Sequence, residues 1–386
     1  MRKAYMIGSK TAADKNYFCV TPVNGSAQVG WHASYYEGSE FAPPPSISLE
    51  YSFNRTQWTS YTLGTDITIT GPVYFRGDNS SFVAYGGVHR ITQLKLTALC
   101  DLSGRINSLS KKIVYDASPT PMPIIGRSYS SFKLFSDNTY IRSVKDLILN
   151  WDAPLTDTGY LEVSGKAYGA LFSGCTSLID TPIFVGAIGH HGCYRMFYGC
   201  TSLTTIYSLP APTIEGQYAS AFAGCTSLQT APDLHSTLTT RCYAFMFYDC
   251  TSLTQVPSLP ATTLAANCYQ GMFANCASLT QVPSLPAVTL AENCYEQMFY
   301  GCTGLTVLPD MSNDNLPSQC YKGMFAGIRP NEEGMLHWHQ TDAYPYEFII
   351  NATTAAADAT DGLFTGSSPE INTTYYCRLP TAQSQR

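Results

Sequence analysis

A unit of 25 or 26 residues recurs along the middle of the chain. Each copy carries one cysteine at the same place, and successive cysteines are 25, 25, 25, 26 and 26 residues apart. These are Cys175, Cys200, Cys225, Cys250, Cys276 and Cys302. Self-similarity at a fixed period in this range indicates stacked repeats, in which each unit buries its apolar face against its neighbours.

The unit at 268–293 serves as a template. Cys268, Met272 and Cys276 step by four, a spacing that predicts a helix of about two and a half turns. A short apolar piece at 279–282 predicts a strand, and the prolines that follow end both helix and ladder bonding. We therefore expect a mixed α/β solenoid with one helix and one short parallel strand per unit.

The residues that recur in every unit should form its core, because stacking identical units demands identical contacts. This predicted core contains the six cysteines given above and one phenylalanine per unit: Phe197, Phe222, Phe247, Phe273, Phe299 and Phe325. A tyrosine also recurs, and we interpret it as packing rather than as a glycan platform: Tyr168, Tyr194, Tyr218, Tyr243, Tyr269, Tyr295 and Tyr321.

The chain has 14 cysteines. On the predicted helices the two cysteines of one unit would be roughly 12 Å apart along the helix axis. A disulfide needs Cα atoms within about 7 Å, so we expect the repeat cysteines to be reduced, small buried apolar residues. Cys19, Cys100 and Cys377 lie outside the repeats, and whether they form disulfides is left open.

Composition excludes several classes of function. Charged residues make up 13% of the chain, the net charge is -6, and no basic run is present, which argues against nucleic-acid binding. No apolar stretch approaches ~18 residues, so no membrane span is expected. The N-terminal residues lack the apolar core of a secretory signal, so either a signal has been removed or the protein does not use that route, and the start at Met1 favours the second.

The flanks of the array differ from it. Residues 1–45 predict an N-terminal arm or anchoring segment, and alternating β-branched and aromatic runs in 46–100 predict a small antiparallel β-sandwich. Residues 101–165 are a transition and N-terminal cap, 166–328 hold about seven repeats, and 329–386 form a C-terminal cap or tail.

The repeat Cys-Tyr-x-x-Met-Phe-x-x-Cys-Thr-Ser-Leu-Thr, as in 242–254, resembles the BspA-like leucine-rich repeats. These occur on surface proteins of gut and oral bacteria and in phages of gut Bacteroidales. Residues 49–77 resemble the β-rich module that precedes such repeats. The resemblance implies a leucine-rich-repeat solenoid and an adhesive surface, and it supplies no motif for a ligand site.

On this basis we expect a non-enzymatic virion protein, a phage fibre or capsid decoration, that presents its repeats to a host-cell protein or glycan. It would bind other virion proteins through its N-terminal region and form a homo-oligomer, with a trimer as the guess. The alternative is a bacterial cell-surface or secreted adhesin. No catalytic motif stands out, and no cofactor or metal is expected. The pair His337 and His339 could bind a metal, but an ordinary exposed strand edge explains it as well.

Positions that differ between units are the better candidates for binding. Three follow the recurring phenylalanine, and four lie on the predicted strands: Tyr198, Tyr248, Tyr300, Thr205, Gln229, Gln255 and Gln281. They would form a polar, nearly uncharged surface suited to hydrogen bonding. The alternative is a sheet face that is merely soluble.

Overall fold

The computed structural model describes residues 17–35, 47–77, 83–84, 90–109, 133–151, 168–186, 192–212, 215–305, 315–328 and 354–355. Across these ranges the regular elements are β-strands and one short 3-10 helix, Ile106–Leu109, and no α-helix is present. The strands are β1 Phe18–Pro22, β2 Ala27–Tyr35, β3 Leu49–Ser52, β4 Thr59–Tyr61, β5 Asp66–Ile69, β6 Val73–Gly77, β7 Val83–Ala84, β8 Arg90–Leu96, β9 Cys100–Arg105, β10 Ile141–Trp151, β11 Ile183–Gly186, β12 Asn315–Leu316 and β13 Thr354–Ala355.

Two sheets form the N-terminal part. One has seven strands in the order β11-β10-β9-β1-β6-β3-β4, and the other has four in the order β5-β2-β8-β7. The larger sheet is mixed, since β9, β10 and β11 pair in parallel and the other neighbours are antiparallel. The smaller sheet is antiparallel throughout.

Aromatic side chains fill the space between the two sheets. Val73, Phe75 and Gly77 alternate as the buried residues of β6, which is the period-two pattern of a strand with one face in the core. The rings of Phe18 and Phe75, from the larger sheet, lie 5.8 Å from that of Trp31 in the smaller one. All three side chains are fully buried.

The repeat segment that steps by four is a chain of tight turns, which we call the turn ribbon. In residues 216–224 every fourth residue, Gly216, Ser220 and Gly224, has a positive φ of 61°, 54° and 76°. Its internal hydrogen bonds join residues three apart, as from the amide of Ala221 to the carbonyl of Tyr218 at 3.0 Å. A left-handed residue at every fourth position and bonds of this span both exclude an α-helix.

The remaining amides of the ribbon point to the next unit. Those of Tyr218, Ser220 and Phe222 donate to the carbonyls of residues 242, 244 and 246 at 2.8–3.0 Å. Alternate amides therefore close turns inside one unit and build a ladder to the next. The same alternation recurs in the ribbons at 241–249, 267–275 and 293–301, so in each of these units about half of the ribbon amides donate to the next unit.

Left-handed positions also allow close approach between units. Gly271, with φ +55°, lies under the ring of Phe245 from the preceding unit, and an added Cβ would overlap that ring. Glycine satisfies both demands at this position, since it has no Cβ and adopts positive φ without steric cost.

The predicted mixed α/β leucine-rich-repeat solenoid, with a helix and a short parallel strand per unit behind a small antiparallel β-sandwich, is wrong. Turn ribbons replace the predicted helices, and the segments predicted as strands make only isolated parallel bridges, such as Thr230 with Gln255. The N-terminal sheets also differ from the prediction, because β1 and β2 from before residue 46 and β9, β10 and β11 from after residue 99 belong to them.

One aromatic stack connects the N-terminal sheets to the array. Phe18 of β1 stacks on Phe135 at 5.6 Å, and Phe135 stacks on Phe172 at 5.3 Å. The stack then continues through Phe197, Phe222, Phe247, Phe273, Phe299 and Phe325 with centroids 5.1–5.8 Å apart. The sheets and the repeats therefore share one continuous core.

Candidate binding surface

The outward face of the turn ribbons carries residues that change from unit to unit. One of these positions lies directly before the left-handed residue that ends each ribbon. Tyrosine and alanine alternate strictly there: Tyr198, Ala223, Tyr248, Ala274, Tyr300 and Ala326. We call Tyr198, Tyr248 and Tyr300 the tyrosine row. Tyr198 and Tyr300 are 44% and 42% exposed, and Tyr248 is half-buried.

Two hydrogen bonds fix the backbone of each tyrosine in the row. The amide of Tyr248 donates to the carbonyl of Phe245 at 3.2 Å, and its carbonyl accepts from Gly224 of the preceding unit at 2.7 Å. Tyr198 and Tyr300 make the equivalent bonds. The row is therefore held in place by the ladder before any ligand binds.

The side chains of Tyr248 and Tyr300 lie beside the following unit. The amide nitrogen Nδ2 of Asn275 lies 3.3 Å from the hydroxyl of Tyr248, and Cζ of Tyr300 lies 3.9 Å from the position that a Cβ would take on Gly327. The alanines that follow the row are almost fully covered: Ala223 at 2%, Ala274 at 2% and Ala326 at 5% exposed. A large residue on one unit is thus followed by a small, buried residue on the next.

Sequence reasoning missed other residues of this face. Arg195 places its guanidinium 5.4 Å from the ring centre of Tyr194 and 5.2 Å from that of Tyr198, a cation–π arrangement on both sides. Phe245 contacts Tyr248 edge to face at 6.2 Å, and Gln297 is exposed three residues before Tyr300. Arg195, Phe245 and Gln297 occupy equivalent positions of different units, so the variation at this position could have identified them from the sequence, as it did the tyrosine row.

The other candidate residues lie beyond the Cys-Thr-Ser-Leu corner of each unit. Thr205, Gln229, Gln255 and Gln281 are all exposed. Thr205 and Gln255 bridge the preceding unit in parallel, and their amides donate to the carbonyls of residues 179 and 229 at 3.1 Å and 3.2 Å. They therefore form a polar line separate from the tyrosine row.

The recurring cysteines and phenylalanines line the interior, each at most 1% exposed. The Sγ of each recurring cysteine donates to the carbonyl of a phenylalanine in the preceding unit, as from Cys225 to Phe197 at 3.2 Å and from Cys302 to Phe273 at 3.0 Å. Such a bond requires an S–H, and the 13 cysteines within the described residues are all free and buried. Burial raises the pKa of Cys250 and Cys302 to about 12, which keeps these thiols protonated.

Five of the recurring tyrosines stack inside the array. Tyr218, Tyr243, Tyr269, Tyr295 and Tyr321 have ring centres 5.7–6.1 Å apart. Tyr194 was predicted to belong to this stack, but it is half-buried on the outward face, and Cys193 is buried at the position of the ring. The cause is the spacing, since Cys193 precedes Cys200 by seven residues, whereas the cysteine pairs that begin at Cys242, Cys268 and Cys294 are eight residues apart.

No group of three or more His, Cys, Asp and Glu side chains that could hold a metal occurs among the described residues. The pair His337 and His339 lies outside them. The described part of the chain contains no helix that is long and apolar enough to cross a membrane.

Comparison with known proteins identifies the repeats. Residues 171–306 match the family model described as BspA type Leucine rich repeat region, in six copies. This match supports the resemblance noted from the sequence and indicates a surface or adhesin type of protein. No curated protein matches the chain, and no solved structure matches it.

Proposed function

We propose that this protein is a non-enzymatic adhesive surface protein whose repeat array presents the tyrosine row and its neighbours to a target on a host cell. The observation that carries the proposal is the division of each ribbon into a constant interior and a variable exterior. The interior Phe and Cys positions recur with the same burial, whereas the outward positions alternate or change. A rigid frame with side chains that vary on one face is an arrangement suited to binding.

The rigidity of this frame supports a role in recognition. The backbone of each tyrosine in the row is bonded both within its unit and to the preceding unit. Because little backbone entropy is lost when a target binds such a surface, more of the contact energy appears as affinity. The similarity of residues 171–306 to BspA-type repeats supports the same class of function.

A binding assay on intact cells tests the proposal. The labelled full-length protein should bind gut bacterial cells or mucus in a saturable manner, and a variant with Tyr198, Tyr248 and Tyr300 changed to Ala should bind at least tenfold less. Val288, 77% exposed and outside the row, provides the control: Val288→Ala should bind like the parent protein. Absence of saturable binding by the parent protein would refute the proposal.

A second candidate is a virion protein, a phage fibre or capsid decoration that assembles through its N-terminal region, with a trimer as the expected oligomer. The thiols of the array favour it. Unpaired cysteines are characteristic of proteins that fold in a reducing cytosol, and the described cysteines are all free. Peptides of this chain in purified phage particles, at a fixed copy number by mass spectrometry, would support this candidate, and their absence would exclude it.

A further inference from the structure

We propose that the tyrosine row is a binding site for a neutral oligosaccharide, with sugar rings stacked on the outer faces of tyrosines in alternate units. This inference rests on the proposed adhesive function and names the chemical class of its target. It is carried by the exposure of the rings, their spacing and the charges around them.

The exposure of the rings provides flat apolar surfaces. Tyr198 and Tyr300 are 44% and 42% exposed, and the ring of Tyr300 lies beside Gly327 of the next unit. An exposed aromatic ring matches the C–H face of a pyranose ring, and the phenol provides a polar edge for its hydroxyl groups.

The spacing of the row suits an extended chain of sugars. The aromatic ladders place neighbouring units 5.1–6.1 Å apart, and two units at strand spacing cover about 10 Å. Alanine at the intervening positions places no aromatic ring between successive tyrosines. A ligand that contacts both Tyr248 and Tyr300 must therefore span several sugar rings, and one ring is too short.

The charges of this face favour a neutral partner. Asp249 accepts a hydrogen bond from Asn275 at 2.8 Å, and Arg195 stacks against two tyrosines. Glu296 accepts from Gln270 at 2.7 Å and lies 3.9 Å from Lys322. These four charges are engaged within the face and are of both signs, so they do not form a patch of one sign that would attract an ionic polymer. The side chains beside the row, such as the exposed amide of Gln297, are suited to bonding hydroxyl groups.

Calorimetric titration of the full-length protein with defined sugars tests this proposal. The probes are cellohexaose, xylohexaose and mannohexaose, their disaccharides, and hexagalacturonate as a charged polymer of the same length. We expect at least one neutral hexasaccharide to bind at least tenfold more tightly than its disaccharide, and hexagalacturonate to bind more weakly. Equal affinity for disaccharide and hexasaccharide, or binding of hexagalacturonate alone, would overturn the proposal.

Two triple variants at Tyr198, Tyr248 and Tyr300 separate the role of the rings from that of the hydroxyls. Changing all three to Phe keeps the stacking faces and should retain binding within about threefold, and changing all three to Ala should lose roughly twofold to tenfold for each ring contacted. The chain already carries Ala at the equivalent positions of alternate units, so the Ala variant should fold, and its circular dichroism should match the parent. Undiminished binding by the Ala variant would overturn the proposal.

Failure of this inference is distinguishable from failure of the proposed function. If the parent protein binds cells but none of the neutral hexasaccharides, the glycan inference is wrong and the adhesive function stands. If it binds neither cells nor hexasaccharides, both are wrong. A change of Gln229, Gln255 and Gln281 to Ser tests the separate polar line, and we expect hexasaccharide binding to be unaffected.

Discussion

Adjacent residues of one turn ribbon should respond to glycine with opposite signs. Ser220 has φ +54°, and Ala219 next to it is absent from the positive-φ residues. A left-handed conformation costs an L-residue roughly 1–2 kcal/mol, and glycine removes that cost while losing about 0.5–1 kcal/mol of chain entropy on folding. Ser220→Gly should therefore stabilise the array by about 0.5–1 kcal/mol.

Ala219→Gly should destabilise the array by about 0.5–1 kcal/mol, because glycine relieves no strain there and adds only the entropy cost. Both sites are half-buried, and both backbones make ladder or turn bonds that glycine keeps. The free energy of unfolding from urea titration of each variant measures the effect. In an α-helix both changes would destabilise, so a loss of stability for Ser220→Gly similar to that for Ala219→Gly would refute the turn ribbon.

Further changes test the interior. Phe222→Ala should lower the free energy of unfolding by about 3–5 kcal/mol, because it leaves a cavity within the phenylalanine stack. Phe222→Leu should lower it clearly less, and equal losses for the two variants would contradict the cavity explanation. The free energy of unfolding should have its full value below pH 9 and should fall between pH 9 and 12. Burial raises the pKa of Cys302 from 9.0 to about 12, so the thiol loses its proton first in the unfolded chain. The urea midpoints at pH 8 and 10.5 measure this, and an unchanged midpoint would count against it. Gly271→Ala should lower the free energy of unfolding less in the Phe245→Ala variant than in the parent protein, because the overlap with the Phe245 ring is removed. If the two substitutions instead lower it additively, the residues do not contact each other. Trypsin should leave residues 167–321 intact, because the only Lys or Arg residues there, Arg195 and Arg241, lie in turn ribbons that are hydrogen-bonded to the next unit. Gel electrophoresis of a limited digest measures this, and early cleavage within the stretch would refute it.

The sequence predicted stacking of repeats but assigned the wrong local structure to them. Cys268, Met272 and Cys276 repeat every four residues, and a helix with 3.6 residues per turn rotates such a row by about 40° at each step. A strict period of four therefore fits a four-residue turn better than a helix. The residues that precede them are Asn267, Gly271 and Asn275, all left-handed at φ 55° to 62°. This second period of four was the signal that could have identified the ribbon.

The interior cysteines show how a sound conclusion can rest on the wrong geometry. We expected reduced thiols because helices would hold the cysteines apart. The structure gives a different reason, since the S–H of Cys200 donates to the carbonyl of Phe172 at 3.1 Å and the same bond recurs along the column. A propensity-based argument cannot find this bond, because it joins residues 28 apart through a turn that had not been recognised.

The tyrosine row was chosen from the sequence because its positions vary, yet its variation has an order. Tyrosine and alanine alternate, and the structure explains this as packing, because the ring of Tyr300 lies beside the unit that carries the small Ala326. Packing alone would be served by any large side chain at these positions. All three large residues are tyrosine, which combines an apolar ring with a polar edge, at a spacing of about 10 Å along the array. Packing thus explains at which positions the large residues lie. Binding to a hydroxyl-rich chain would explain why these residues are tyrosine.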